Sequence, residues 1–452
     1  MYDSRNTKSS ALLLSMPPVP DVPLEIAVQA PCMEDSPLLK RSDSISETIN
    51  RRVLVSAVAN FSTAYNLAII GSAVLMVKET SPGSDVSAIP AVSACSLLGA
   101  IAGQLLFGYI GDVLGRRKGM VLTLTLSVIG ALLSAILPFD GSVYAILAAC
   151  RFLLGVGVGG VYPLSAASAA EGSSDPVLNN KRVAAVFSFQ GWGQLASFLL
   201  TFVLLKSSLN HAIVWRILLA AGALPGIIVL HEAIVSKETG AFLQNQANPN
   251  KMSVWTALKT YERQFIGTSM GWFLFDITFY GNILFTPVIL QDLYHASTMV
   301  ETIQFSVLTS AIALPGYYLS LYMIGKMDFK HIQMQGFAIM AIIFLAMGIF
   351  YEALLPLKAL LFTMYAFTFF FSNFGPNVST FSLPAELFPT EVRVQLNGMS
   401  AAAGKVGAAI GAYIYGLIEA SYGVSAVLIV SGLVSLLGFA ITYVCIPCKQ
   451  YR

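Results

Sequence analysis

From Arg51 onward the chain is a succession of apolar stretches, each near the ~20 residues that a helix needs to cross a ~30 Å hydrocarbon layer, separated by short polar connections. They fall at 53 to 77, 87 to 110, 119 to 138, 142 to 170, 182 to 205, 213 to 234, 264 to 291, 300 to 325, 332 to 352, 356 to 384, 396 to 418 and 424 to 446. Backbone in lipid must satisfy its own hydrogen bonds, so such stretches become helices. The sequence therefore predicts an all-α membrane protein of twelve spans, and a charged fraction of only 11% excludes an ordinary soluble domain. With a net charge of +2 and no basic block or finger spacing, nothing points to nucleic acid.

The longest connection, 235 to 263, is polar and asparagine-rich and divides the spans six and six. Two halves, 51 to 234 and 264 to 446, are expected, with flanking tails at 1 to 50 and 447 to 452. The first tail is rich in Pro and Ser and reads as disordered. Its apolar run ALLLSM is too short for a signal peptide, and Glu34 with Leu38 and Leu39 resembles an acidic dileucine sorting signal. Basic residues such as Arg116, Arg117, Lys181, Arg263, Lys330 and Arg393 all fall on one side of the twelve-span layout, which places both termini in the cytoplasm. Five cysteines, at 32, 95, 150, 445 and 448, form no disulfide framework, and the pair Cys445 and Cys448 reads first as free thiols, then as a palmitoylation site.

Polar groups inside the apolar stretches mark function, because they are costly in lipid unless they line a path or pair. Residues 371 to 405 interrupt two spans with Gly375, Pro376, Asn377 and Lys405. In the seventh span Trp272, Asp276 and Tyr280 recur every four residues and share one helix face. Asp276 and Lys405 are expected to pair with one another. Between the second and third spans, GYIGDVLGRRKGM places Asp112 before a glycine turn and a basic cluster; in the fourth span Gly155 and Gly159 form a small-residue face for close helix packing. Glu171 with Arg182 and Glu386 with Arg393 occupy corresponding places in the two halves. A carboxylate facing an arginine there would latch one half to the other. No nucleophile and base pair or metal-ligand cluster occurs in the spans, so neither an enzyme nor a cofactor is expected.

The loop residues Gly108, Asp112, Gly115, Arg116 and Arg117 resemble the loop motif of the major facilitator superfamily. GVYPLSA, FSFQGWG, WFLFDITFYGNILF, FGPNVSTFSLPAELFPTEVR and GMSAAAGKVGAAIGAY, in order over residues 55 to 445, resemble the phosphate:proton symporter branch. The resemblance implies two six-helix halves that alternate access, working as a monomer, with Tyr162, Gln190, Trp272, Asp276, Tyr280, Asn377 and Lys405 at the positions that bind phosphate. It makes Asp112, Arg116, Arg117, Glu171, Arg182, Glu386 and Arg393 the conformational latch. Phenol, indole and amide donors, one acceptor carboxylate and one lysine suit an anion with both OH and charged oxygens.

The chain departs from that branch where Thr63 and Asn66 replace an acidic pair and Val161 replaces an aspartate, the groups credited there with carrying protons. Coupling then runs through Asp276 alone, or the carrier is uncoupled. Inorganic phosphate is the leading cargo, with a glycerophosphodiester or a transport-dead sensor as the alternatives. The plasma membrane is the favoured site, against an endosomal, lysosomal or vacuolar membrane.

Overall fold

The computed structural model describes residues 37–81, 89–136, 143–294 and 298–448. The first half contains α1 (Pro37–Thr80), α2 (Ile89–Val113), α3 (Arg116–Ala135), α4 (Val143–Ala170), α5 (Pro176–Leu205) and the broken pair α6 (His211–Ala221) and α7 (Leu224–Val235). Two short helices follow, α8 (Gly240–Gln246) and α9 (Val254–Thr260). The second half contains α10 (Glu262–Tyr294), α11 (Met299–Met323), α12 (Phe329–Ile349), the turn α13 (Tyr351–Leu354), the broken pair α14 (Lys358–Asn373) and α15 (Pro376–Leu387), and α16 (Arg393–Cys445).

By length and composition eight of these are apolar enough to cross a membrane, α6 and α7 counting together. The last, α16, has 53 residues and would run about 80 Å if straight, more than twice the hydrocarbon thickness. It turns at Gly423, with φ 77° and ψ 179°, and so makes two crossings. Three further crossings are α10 and α11, of 33 and 25 residues, and α14 with α15, two shorter helices of 16 and 12 residues on either side of a break. Twelve membrane-length segments therefore lie among the described residues, where the apolar stretches predict them.

Two boundaries differ from expectation. The first helix begins at Pro37, inside the stretch expected as a tail. Pro37 is the last proline of that stretch, it is tolerated in a first helical turn, and the residues after it are better helix formers. Glu34 and Cys32 lie outside the described residues, as do residues 449 to 452. The polar central connection holds α8 and α9, each opened by a hydroxyl cap, Thr239 on Phe242 and Ser253 on Thr256.

Glycines set the packing, and they repeat it. A Cβ on Gly193 of α5 would stand 2.2 Å from the Phe61 carbonyl of α1, and one on Gly407 of α16 2.2 Å from the Phe273 carbonyl of α10. The first and fifth crossings of each half thus touch backbone to backbone in the same way. The second and fourth crossings do likewise: Gly99 of α2 against the Phe152 carbonyl at 2.2 Å, Gly316 of α11 against the Phe370 carbonyl at 2.3 Å. The small face at Gly155 and Gly159 lies on α2, where added Cβ atoms would stand 2.4 Å from the Ser96 carbonyl and 2.2 Å from that of Ala100. No side chain fits there without spreading the pair. Gly159→Val is expected to lower stability by about 1–3 kcal/mol or more, read as a fall in melting temperature of purified protein. Gly416→Ala, with nothing within 4 Å of the added carbon, is expected to leave it unchanged.

Candidate functional site

Polar side chains from both halves meet midway along the bundle. Lys405 of α16 donates to Asp276 of α10 at 2.8 Å and to the Tyr280 hydroxyl at 3.2 Å. Its ammonium lies 4.5 Å from the Tyr280 ring centroid and 5.5 Å from that of Tyr162 on α4. The Tyr162 hydroxyl donates to Gln190 of α5 at 3.1 Å. Tyr317 of α11 stands edge-on to Phe187 of α5 with centroids 6.1 Å apart, and its hydroxyl accepts from Asn377 at 2.9 Å. Asn377 completes its amide on Asn373 at 2.7 Å, beside the Phe374 and Gly375 break. Trp272 stands edge-on to Tyr162, centroids 6.2 Å apart. All seven residues expected at the anion site are brought into one connected cluster.

Each element supplies its residue for a local reason. The i, i+4, i+8 spacing puts Trp272, Asp276 and Tyr280 on one face of α10. Gly404 leaves the space that Trp272 fills, since a Cβ there would stand 2.5 Å from the indole. Lys405, the next residue, reaches Asp276. Tyr317, Phe187 and Phe381 are additions that sequence reasoning missed. The rings of Phe187 and Phe381 stack across the halves at 4.2 Å, 20° from parallel. A tyrosine in the middle of an apolar span, next to the Pro315 and Gly316 pair, is the signal that marks Tyr317.

Asp276 and Lys405 are both 2% exposed. Their mutual attraction offsets the cost of burying each, and each becomes a liability if the other is lost. The ammonium of Lys405 is thus already countered by Asp276. The arrangement can bind an oxyanion reversibly. Thr63, Asn66 and Val161 offer no titratable group: Asn66 donates to the Gly222 carbonyl at 2.8 Å, freed by the break between α6 and α7, and Val161 packs in an apolar cluster.

At the charged end a second cluster closes the halves together. Glu171, just past α4, accepts from Arg116 at 2.8 and 3.1 Å, from Arg393 at 3.2 Å and from Thr239 at 2.6 Å. Arg116 and Arg393 are the first residues of α3 and α16, so two helix starts converge on one carboxylate. Arg116 also pairs with Asp112 at 3.1 Å and donates to the Thr390 carbonyl at 2.9 Å. Asp112 accepts the Gln395 and Val394 amides at 2.8 and 3.4 Å, at the positive N-terminal end of α16. The loop glycines have matching reasons. Gly115 has φ 104°, and a Cβ on Gly111 would stand 2.6 Å from Val394. The Arg117 amide donates to Glu238 at 3.1 Å.

The pairing differs from the expected one. Glu171 takes Arg393 of the other half and not Arg182, whose Nη1 has no partner, while Glu386 accepts from Asn180 of the first half at 2.9 Å. Spacing told which residues share an end of the bundle. It could not tell which helix starts would lie against Glu171.

Comparison with known proteins agrees with this architecture. The family model for sugar (and other) transporters matches residues 52–251 and 236–452. The chain is 34% identical over 400 residues to inorganic phosphate transporter PT2 of Toxoplasma gondii, covering 86% of this chain and 71% of that protein. It is 31% identical over 472 residues to inorganic phosphate transporter 1-11 of Oryza sativa subsp. japonica, covering 87% and 84%. Among solved structures, the major facilitator superfamily proton:xylose symporter XylE bound to 6-bromo-6-deoxy-D-glucose superposes with a TM-score of 0.76 at 16% identity, over 90% of this chain and 97% of that one. That likeness is one of fold.

Proposed function

We infer that this chain, which belongs to the family of sugar (and other) transporters and has the major facilitator fold, carries inorganic phosphate across a membrane by alternating access. One observation carries the reading: Tyr162, Gln190, Trp272, Asp276, Tyr280, Asn377 and Lys405, all but the half-buried Tyr280 buried, form a single cluster of donors around one cation and one acceptor carboxylate, drawn from both halves. The relatives of 31 to 34% identity, named as inorganic phosphate transporters, support the same cargo. A cluster lined by close-packed rings of Tyr162, Phe187, Trp272 and Phe381 suits a small tetrahedral anion better than a glycerophosphodiester. A retained anion cluster also speaks against a sensor that moves nothing.

The phosphate monoanion replaces Asp276 as the partner of Lys405, and Asp276 takes up one further proton from solvent, so that Lys405 (+1), neutral Asp276 and the monoanion (−1) sum to zero through the crossing. Asp276 is the proposed proton carrier, because Thr63, Asn66 and Val161 cannot titrate. Breaking the cluster of Glu171, Arg116, Arg393, Asp112 and Glu386 opens the charged end, and re-forming it closes that end. The protein works as a monomer, with both termini in the cytoplasm and the plasma membrane as its favoured location.

Proteoliposomes with labelled phosphate outside and a pH-sensitive dye inside test cargo and coupling together. Saturable uptake accompanied by a pH change is the expected result. Asp276→Asn, which removes a charge-assisted bond, is expected to lower uptake about 10–100-fold. Normal uptake and normal pH change in that variant would remove Asp276 from the mechanism.

A further inference from the structure

Arg151 is the one fully buried arginine of the described residues that meets no carboxylate. Its side chain is 0% exposed, and Nε, Nη1 and Nη2 all lack a hydrogen-bond partner. Its counterparts are provided for: Lys405 has Asp276, and Arg116 has Glu171 and Asp112. The titratable groups facing Arg151 among the described residues are Cys150 and Tyr65 of α1, and the Tyr65 hydroxyl is spent on the Leu218 carbonyl at 3.0 Å. Two residues from Tyr65, the buried Thr63 hydroxyl has no partner either.

Its place on α4 gives this cation a meaning. Arg151 precedes Tyr162 by eleven residues, about 16 Å along the axis and within ~20° of the same side of the helix. Glu171 follows Tyr162 by nine residues, about 14 Å in the opposite direction. The central cluster thus lies midway between the latch and Arg151. Guanidinium offers a fork of donors matched to two oxygens of one phosphate.

Building on the phosphate-carrier reading, we propose that Arg151 is a second anion contact, where phosphate moving between the central cluster and the end opposite the latch supplies a counter-charge that the described residues do not. Thr63 and Asn66, two and one positions from Tyr65 on α1, acquire a physical sense. A carboxylate beside Arg151 would neutralise it and compete with the passing anion, whereas neutral side chains leave its charge available.

The test uses the full chain in proteoliposomes, with labelled inorganic phosphate over a range of concentrations, and melting curves of the purified protein without phosphate. Arg151→Gln is expected to raise KM about tenfold or more through loss of a charge-assisted, two-pronged contact, with Arg151→Lys recovering part of the difference. Without phosphate, Arg151→Gln is expected to melt no lower than wild type, because no protein counter-charge is lost. A wild-type KM in Arg151→Gln overturns the inference and leaves the carrier reading standing. A phosphate-free melting temperature well below wild type overturns it also, since the protein itself would then be neutralising the arginine. If Arg151→Gln does not accumulate, Arg151→Lys decides, and a wild-type KM in that variant overturns the inference. Wild-type protein that takes up no phosphate overturns both this and the carrier reading.

Discussion

Lys405→Gln is expected to abolish saturable phosphate uptake and to lower stability by about 3–5 kcal/mol, while Asp276→Asn with Lys405→Gln regains the stability without regaining transport. The single change leaves Asp276 charged and buried with its 2.8 Å partner gone, and the penalty for an uncompensated ion inside a protein is of that size. The double change leaves two neutral amides that can bond each other, so the fold recovers. Transport does not, because the only cation of the central cluster is gone. Melting curves and uptake assays on the three variants separate the two effects. A single variant that melts and transports like wild type would show that the pair serves neither.

Glu171→Gln is expected to open the charged end. One carboxylate, 1% exposed in its side chain, holds Arg116, Arg393 and Thr239. Neutralising it leaves the buried Arg116 and the half-buried Arg393 with weaker partners and facing each other's charge. Only the Arg393 contact at 3.2 Å joins the two halves, so the closed state alone loses that charge-assisted bond, about 1.5–3 kcal/mol, whereas the Arg116 pair lies within the first half and is lost in both states. A difference of that size shifts the closed and open populations by a factor of about 10–100. The small cavity behind the latch, about 20 Å³ and lined by Arg52, Ser56, Ser168, Ser236 and Glu238, supplies the reporter position. In a background without other cysteines, Ser168→Cys should be alkylated slowly when Glu171 is present and far faster in Glu171→Gln, with a lowered kcat for uptake. Equal alkylation rates would mean that Glu171 does not hold that end shut.

Much of this protein is legible from the chain alone. Twelve apolar stretches determine twelve crossings, because hydropathy is judged residue by residue against a layer of known thickness. The site residues are equally legible: Trp272, Asp276 and Tyr280 share a face by spacing, and Asp276 and Lys405 stand out because a charge in lipid demands a reason. Even the interruption at Gly375 and Pro376 is readable, as a place where backbone groups must find partners inside protein.

Other features needed the tertiary structure. Glu171 and Arg393 are separated by 222 positions, and nothing in the spacing of either says that the starts of α3 and α16 would converge on one carboxylate while Arg182 is left aside. Tyr317 and the stacked rings of Phe187 and Phe381 join the site only because α5, α11 and α15 pack side by side. Arg151 reads in the chain as one more basic residue; only its surroundings reveal that no carboxylate of the described residues faces it. Crossing a membrane and tolerating a charge there are properties of a segment and its solvent, so sequence alone determines them. Which charge meets which depends on the rotation and close approach of helices distant in sequence, and the contacts at glycines such as Gly193 and Gly407 decide that.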